Sequence, residues 1–226
     1  MNEVVSYRFA DSVSTIVLDD GKVNALSPKM IEAINRALDK ADNDSGAVIL
    51  TGRQGMFSAG FDLREREKSE QARWAMVKAG ALLAQRIFSY PRPVILACSG
   101  HAVAMGAFLL TAATIRIGAE GAFKIGANEV SLGMTVPRFA TELCRHRLTI
   151  SHQTRSLVTG EMFTPSEAVT AGFLDSVVPA DHLMEAATEK AIELAGLSKE
   201  GYRNTLIRLR EPVMEIIQKS IEVEYG

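Results

Sequence analysis

The residues best suited to chemistry in this sequence are two turns of small side chains and one carboxylate downstream of them. The first turn is Phe57-Ser58-Ala59-Gly60-Phe61-Asp62-Leu63. The second is Ser99-Gly100-His101-Ala102-Val103-Ala104-Met105-Gly106-Ala107-Phe108. The carboxylate is Glu129, in Ala127-Asn128-Glu129-Val130-Ser131-Leu132-Gly133. Small residues let a ligand approach the backbone closely. Ala104-Met105-Gly106 precedes an apolar stretch that reads as a helix. The first N–H groups of a helix have no partner within it, and its N-terminal end carries partial positive charge. Ser58-Ala59-Gly60 offers the Phe61 N–H in the same way. Two N–H groups facing one oxygen, with one base beside them, are the minimum equipment for making and quenching an enolate. Each such donor is worth roughly 3–4 kcal/mol against a developing oxyanion. Taken singly, each turn also reads as a plain glycine turn between strand and helix, and Glu129 as a surface carboxylate in a strand-end loop.

The elements that must position these residues alternate between strand and helix. Val4–Phe9 and Ser14–Leu18 read as short strands around a turn at Asp11-Ser12, and Asp19-Asp20-Gly21-Lys22 ends the second. Ser27-Pro28 starts a helix, with Met30, Ile34, Ala37, Leu38 and Ala41 on one face. Ala47–Thr51 is a buried strand closed by Gly52. A second helix runs from Glu70 to Ser89, where Pro91-Arg92-Pro93 stops it and feeds the strand Val94–Cys98. Gly106–Ala113 reads as a short apolar helix and Ile115-Arg116-Ile117 as a strand. Ser166–Ala171 and Asp181–Leu197 read as helices, Asp181 as a cap. The tail from Lys199 is helical with a break or restart at Pro212. A composition shift at Leu197-Ser198-Lys199 separates residues 1–196, a core domain, from 197–226, a helical segment for packing or oligomerisation. The tail's apolar positions Leu206, Leu209, Val213, Ile216, Ile217 and Ile221 need cover from the body of the chain or from another subunit.

Composition narrows the function classes. The 226 residues suffice for one sizeable core, and a net charge of −2 leaves no basic footprint for nucleic acid. No apolar stretch is long enough for a membrane span, and Met1-Asn2-Glu3-Val4-Val5 lacks the basic and apolar regions of a leader. Cys98 and Cys144 have no metal-ligand spacing, so a reduced, cytoplasmic chain without a metal site is expected.

The two turns together, with Pro91-Arg92-Pro93-Val94-Ile95-Leu96-Ala97-Cys98 leading into the second, resemble the crotonase (enoyl-CoA hydratase/isomerase) superfamily. Asn24-Ala25-Leu26 matches its N-terminal CoA-contact motif, and Ala127–Met134 its catalytic-strand segment. Thr164-Pro165-Ser166-Glu167-Ala168 and Ala171–Val178 match its later helix and strand. The resemblance runs from about Val4 to about Ala195. It implies an α/β spiral of repeated ββα units (the ClpP/crotonase fold) with C-terminal helices, a homotrimer or homohexamer, and an acyl-CoA thioester substrate. No cofactor is implied beyond the coenzyme A of the substrate.

By the same resemblance Phe61 and Met105 supply the N–H groups of an oxyanion hole. Ala59, Gly60, Asp62 and Leu63, with Asn24, Ala25 and Leu26, hold the coenzyme A moiety. Lys22 meets a CoA phosphate or is a solvated turn lysine. Met105 and Ala104 stand in the family's usual Gly-Gly-Gly turn, so the Met105 side chain, beside Gly106, is expected to narrow the acyl pocket. Phe108 stands where hydratases of the family carry a second glutamate. That leaves Glu129 alone, and Asn128-Glu129 resembles the Asn-Glu pair of the enoyl-CoA isomerases. The implied reaction is the shift of a double bond from 3-enoyl-CoA to 2-enoyl-CoA. The alternatives are a hydratase, if Glu120, Glu142 or another carboxylate replaces the missing one, and a non-catalytic acyl-CoA-binding paralogue. Of the remaining candidates, His101 reads as packed or surface, Arg145-His146-Arg147 as a solvated helix face, and Trp74, Met76 and Met134 as core or pocket lining.

Overall fold

The structure, a computed structural model, describes residues 3–44 and 46–226; Met1 and Asn2, part of the segment read above as no leader, lie outside the described residues. Strands β1 (Val5–Ala10) and β2 (Val13–Leu18) form an antiparallel hairpin. Its turn residues Asp11 and Ser12 have φ of 51° and 61°, the left-handed pair that a two-residue hairpin turn needs. Helix α1 (Pro28–Asn43) opens as its sequence requires: the Ser27 side chain accepts from Met30 N, Pro28 occupies the first turn, and the apolar stripe from Met30 to Ala41 is buried.

The chain continues through β3 (Ala47–Gly52), β4 (Gly55–Ser58), α2 (Leu63–Lys68), α3 (Glu70–Phe88), β5 (Val94–Cys98), β6 (Gly100–Val103), α4 (Met105–Ala112), β7 (Ile115–Ala119) and β8 (Ile125–Gly126). A 3₁₀ turn at Val130–Leu132 leads to α5 (Arg138–Arg147), α6 (Ile150–Leu157), α7 (Pro165–Ala171), β9 (Ser176–Val178), α8 (Leu183–Ala195) and α9 (Lys199–Tyr225).

The strands sort into two sheets. One has the order β1-β2-β3-β5-β7-β9 and is parallel beyond the hairpin; the other is β4-β6-β8 and wholly parallel. Along the chain three strands of the large sheet are each followed by one of the small sheet: β3 by β4, β5 by β6, β7 by β8. Each repeat therefore lays one strand in each layer, and a spiral of ββα units results. Strands β3 and β5 are buried throughout, as expected of parallel strands covered on both faces. Helices α1, α3 and α4 pack in the larger core on one face of the large sheet, and α8 closes a smaller core on the other.

The structure departs from the sequence reading at several elements. β6 lies inside the second segment read as a turn and β4 runs into the first; at four residues each they are too short to show a period of two. β8 has two residues, and Glu129 lies beyond it, opening the 3₁₀ turn, so the segment matched to a catalytic strand is mostly loop. Asp181 caps nothing: it lies in a 3₁₀ turn, and α8 starts at Leu183 with no side-chain cap. Pro212 does not break α9, which runs unbroken past it. The lost hydrogen bond is offset by packing, since Leu206, Arg210, Ile217 and Ile221 are buried and the helix lies against α3 and α5. Leu209 and Ile216 remain exposed, so the body of the chain covers only one stripe of the tail.

Arg145-His146-Arg147 is not a solvated face as a whole. Only Arg145 is well exposed, paired with Glu142 at 3.5 Å. Arg147 Nε donates to the Thr111 carbonyl at 3.2 Å. Arg210 donates to the Ala112 and Ala113 carbonyls at 3.2 and 3.1 Å. These two cations satisfy the C-terminal carbonyls of α4 and oppose the negative end of its dipole. Burial, with the charges of Arg147, Arg210 and Arg116, pushes His146 down to about 4.

Candidate active site

The small parallel sheet is what assembles the site. Because its three strands run the same way, their C-terminal ends lie at one edge. β4 ends at Ser58 and delivers Ala59-Gly60-Phe61. β6 ends at Val103 and delivers Ala104-Met105. β8 ends at Gly126 and delivers Ala127-Asn128-Glu129. Hydrogen bonds tie the second exit to the third, and the first to the Asn24 turn. Ala104 N donates to the Gly126 carbonyl at 2.9 Å, and Ser58 Oγ donates to the Asn24 carbonyl at 2.8 Å.

The first two exits touch. A Cβ built on Gly60 would lie 2.8 Å from the Ala104 Cβ, 2.9 Å from the Val103 oxygen and 3.3 Å from the Met105 nitrogen. Only glycine permits that approach, and its φ of +91° demands glycine as well. Gly106 fits under β4 for the same reason, since a Cβ there would meet the Ser58 oxygen at 2.5 Å. Met105 is the first residue of α4, so its N–H has no acceptor inside the helix. Phe61 pairs with Leu26 through the Gly60 carbonyl and the Asp62 N–H, which leaves its own N–H out of the bridge. Among the described hydrogen bonds neither N–H has an acceptor.

Ala104 holds the second turn at a cost. Its φ of 52° with ψ of −124° belongs to a region that side-chain-bearing residues avoid. Such a residue costs on the order of 1–3 kcal/mol, against about 0.5–1 kcal/mol for the freedom a glycine loses on folding. Ala104→Gly is therefore expected to raise stability by about 1 kcal/mol, read as a higher urea midpoint at unchanged slope. An unchanged or lower midpoint would count against strain at this turn.

Above the exits opens a cavity of about 600 Å³. Ala59, Phe61, Leu63, Ala104, Asn128 and Glu129 line it, as do Trp74, Met76 and Met134. Glu129 is 7% exposed, and its Oε2 is buried without a hydrogen-bond partner, as is Asn128 Oδ1. Burial pushes the Glu129 carboxyl up to about 7. Cys144 of α5 is close enough for the Glu129 charge to add to the burial that raises its thiol. A carboxyl in this state can give and take protons near neutral pH.

Other expected site residues support the cavity or lie beside it. Asn24, at φ +50°, is fully buried, and its amide donates to the Leu18, Met56 and Phe57 carbonyls while Oδ1 accepts from Asp20 N. Its polar groups staple the turn and are spent there. Leu26 is buried in the bridge to Phe61. Ala25 donates to Asp20 Oδ2, and the Asp62 side chain accepts from Arg64 N as the cap of α2. Lys22 is exposed, its carbonyl accepting from Arg53 Nε at 2.7 Å. His101 packs edge-on to Phe123. Glu120 and Glu142 are not among the lining residues.

Two expectations about side chains are corrected. Met105 is fully buried and is absent from the lining; its Cε lies near Gly80 of α3, so it fills the space beneath α3 instead of narrowing the pocket. Phe108 is buried, edge-on to Phe139 of α5, and is likewise absent from the lining. The lining residues missed in the sequence include Arg73, Val77, Thr135, Val136, Pro137, Glu224 and Tyr225. Tyr225 comes from the last turn of α9, and only the folded packing of α9 on α3 and α5 brings it there.

Comparison with known proteins gives the family. A family model for enoyl-CoA hydratase/isomerase matches residues 8–225. A probable enoyl-CoA hydratase of Bacillus subtilis is 32% identical over 212 residues, covering 92% of this chain and 80% of that one. An enoyl-CoA hydratase/isomerase family protein from Pseudomonas syringae superposes with a TM-score of 0.96 at 44% identity, over 98% of this chain and 96% of its own. A Mycobacterium tuberculosis protein, described as an enoyl-CoA isomerase in one solved structure and as a probable enoyl-CoA hydratase in another, superposes at 42% identity with TM-scores of 0.95 (98% of this chain, 97% of its own) and 0.94 (97% and 93%). Hydratase and isomerase names thus both occur among its relatives.

Proposed function

We propose that this chain, which belongs to the enoyl-CoA hydratase/isomerase family, shifts the double bond of a 3-enoyl-CoA to the 2-position. The thioester oxygen would sit between the N–H groups of Phe61 and Met105. Glu129 takes a proton from C2, and the C–H electron pair moves into a dienolate whose charge rests on that oxygen. The same carboxyl returns the proton to C4, leaving the double bond between C2 and C3. Proton and electrons balance within substrate and Glu129, and no separate cofactor is needed.

The observation that carries this reading is the unpartnered Glu129 Oε2, buried at an apolar cavity beside the two N–H groups, and the family resemblance supports it by setting Phe108 where hydratases carry a second glutamate. Hydration needs a water held against C3, and an ordered water needs two to four polar partners. Glu224 is the other carboxylate at the cavity; it is exposed, and its Oε2 accepts from Arg138 N. It is the group on which a hydratase reading would rest.

The test is a direct comparison of 3-enoyl-CoA isomerisation with crotonyl-CoA hydration, followed by the conjugated-thioester absorbance. Isomerisation is expected to be the faster. Hydration without isomerisation would overturn the proposal in favour of a hydratase. Tight acyl-CoA binding with neither reaction would point to a binding protein.

The pH dependence follows from Glu129. The base must be ionised to accept the C2 proton, so kcat/KM should rise through about pH 7 and level above it. A profile flat from about pH 5 to about pH 9 would exclude a carboxyl with so raised a pKa as the base.

A further inference from the structure

Helix α4 presents one of the two N–H donors at its first residue, Met105, and it is held unevenly along its length. All eight of its residues are buried, and Thr111 is its single polar side chain. The Thr111 hydroxyl donates to the Phe108 carbonyl within the helix and meets the Cys144 thiol. The N-terminal end has no side-chain cap. Apolar packing chooses the neighbours of a helix but is not directional, so it resists a small slide along the axis only weakly.

At the other end the hold is directional. Arg210 of α9 is 3% exposed. Its Nη1 donates to the Phe88 carbonyl at the end of α3 at 2.6 Å and to the Ala112 carbonyl at the end of α4 at 3.2 Å. Its Nη2 donates to the Ala113 carbonyl at 3.1 Å. One planar guanidinium thus ties the C-terminal ends of α3 and α4 to α9, and Arg147 of α5 adds bonds to the Thr111 and Ala113 carbonyls.

Stability alone does not call for an arginine here. Burying a guanidinium is costly unless a carboxylate pairs with it. The described hydrogen bonds of Arg210 all go to carbonyls, its Nε is buried without a partner, and burial pushes the group down to about 10. Water or a glycine cap would satisfy the ends of two helices at less cost. What the arginine adds is a rigid fork of fixed geometry between three helices.

We propose that Arg210 is a positioning residue for the oxygen-binding turn: through its guanidinium α9 sets the place of α4 along its axis, and with it the place of the Met105 N–H. The proposal rests on the reading of that N–H as a donor to the thioester oxygen. A helix of eight residues is about 12 Å long at 1.5 Å per residue, so a shift imposed at Ala112 is carried to Met105. A misplacement of about 1 Å costs on the order of 10²-fold in rate. The Met105 methyl reports such a shift without reference to turnover. Its Cε and the Cε1 and Cζ atoms of the Phe61 ring all lie within 3.5 Å of the point where a Cβ on Gly80 would stand, so the methyl feels the field of that ring.

The test is methionine-methyl NMR of the full chain beside steady-state kinetics, with the Met105 signal assigned by its loss in Met105→Leu. Arg210→Lys keeps the charge but loses the planar fork, and Arg210→Met removes both. Both should shift the Met105 signal. The kcat for 3-enoyl-CoA isomerisation should fall about tenfold in the lysine variant and about 10²-fold in the methionine variant. KM and the binding of butanoyl-CoA, a saturated thioester, should stay within a few-fold of wild type, because the donors act mainly on charge that develops during reaction. Leu206→Ala removes a buried apolar side chain one turn earlier on α9 and should leave both the signal and kcat near wild type. A Met105 signal that does not move in the lysine variant overturns the proposal, even where the methionine variant fails to fold. An equal shift in Leu206→Ala overturns it as well, since any loosening of α9 would then suffice. A shifted signal with wild-type turnover overturns the donor reading of the Met105 N–H and the proposal with it.

Discussion

Glu129→Gln is expected to lower isomerase turnover by about 10²–10⁴-fold while binding of a saturated acyl-CoA stays within a few-fold of wild type. The amide has the size and shape of the carboxyl but cannot accept the C2 proton. Its effect on stability has the opposite sign. Glu129 titrates near 4.5 in an open chain and near 7 in the fold, so the folded state disfavours its charge. Stability is fullest below the open-chain value and is lost as pH rises through the folded value, by on the order of 3 kcal/mol in all. The glutamine variant escapes that loss and should be the more stable protein at about pH 8, though the less active one. Urea unfolding of both proteins at about pH 5 and about pH 8, beside turnover, reads out the two effects. A variant that turns over within a few-fold of wild type removes Glu129 from the reaction. A variant with no stability gain at high pH shows that the carboxyl is not strained by its burial.

How much of this was legible in the sequence depends on how local each signal is. The start of α1 is written in adjacent residues: Ser27 caps, Pro28 fits the first turn, and the apolar stripe repeats every 3.6 residues. The β1–β2 hairpin is equally local. The small sheet is not, because β4, β6 and β8 hold four, four and two residues and exist only through each other's backbone. Their edge gathers Phe61, Met105 and Glu129. The motifs therefore name residues that the fold does gather, without showing what brings them together. Direction was harder to read than position. Met105 does stand at the start of α4, but its side chain runs toward Gly80, where the absence of a Cβ on α3 leaves room for it. Asn24 was placed correctly at a turn, yet its amide is consumed by three carbonyls from two other strands and their exits. The burial of Glu129 depends on α5 and on the cavity roof, and Tyr225 arrives from the far end of the chain. No pattern in a single segment reports either.

Gly60→Ala is expected to cut turnover by about 10²–10³-fold, the usual loss when one donor to an oxyanion is misplaced. No side chain that touches substrate is altered; the effect is transmitted through the contact between the two turns. The new methyl would fall 2.8 Å from the Ala104 Cβ and 2.9 Å from the Val103 oxygen, distances at which something must shift. Neither obstacle is the free end of a flexible chain. Val103 is held in β6, and Ala104 is bonded through its N–H to Gly126 and already sits at a strained φ. The turns must separate, which moves the Met105 N–H relative to the Phe61 N–H. Alanine at φ +91° also costs about 1–2 kcal/mol of stability wherever it occurs. Gly21→Ala controls for that cost, because Gly21 has φ +73° and nothing within 4 Å of its would-be Cβ. Both variants should unfold at lower urea concentrations than wild type, Gly60→Ala at the lower of the two because of its clash, and only Gly60→Ala should lose turnover. With ground-state binding largely kept, the loss should fall on kcat more than on KM, since the donors act mainly on the charge that develops during reaction. If both variants lose turnover in proportion to stability, the contact between the turns contributes nothing specific to the reaction. If Gly60→Ala turns over like wild type, the oxygen is not held by this pair of N–H groups.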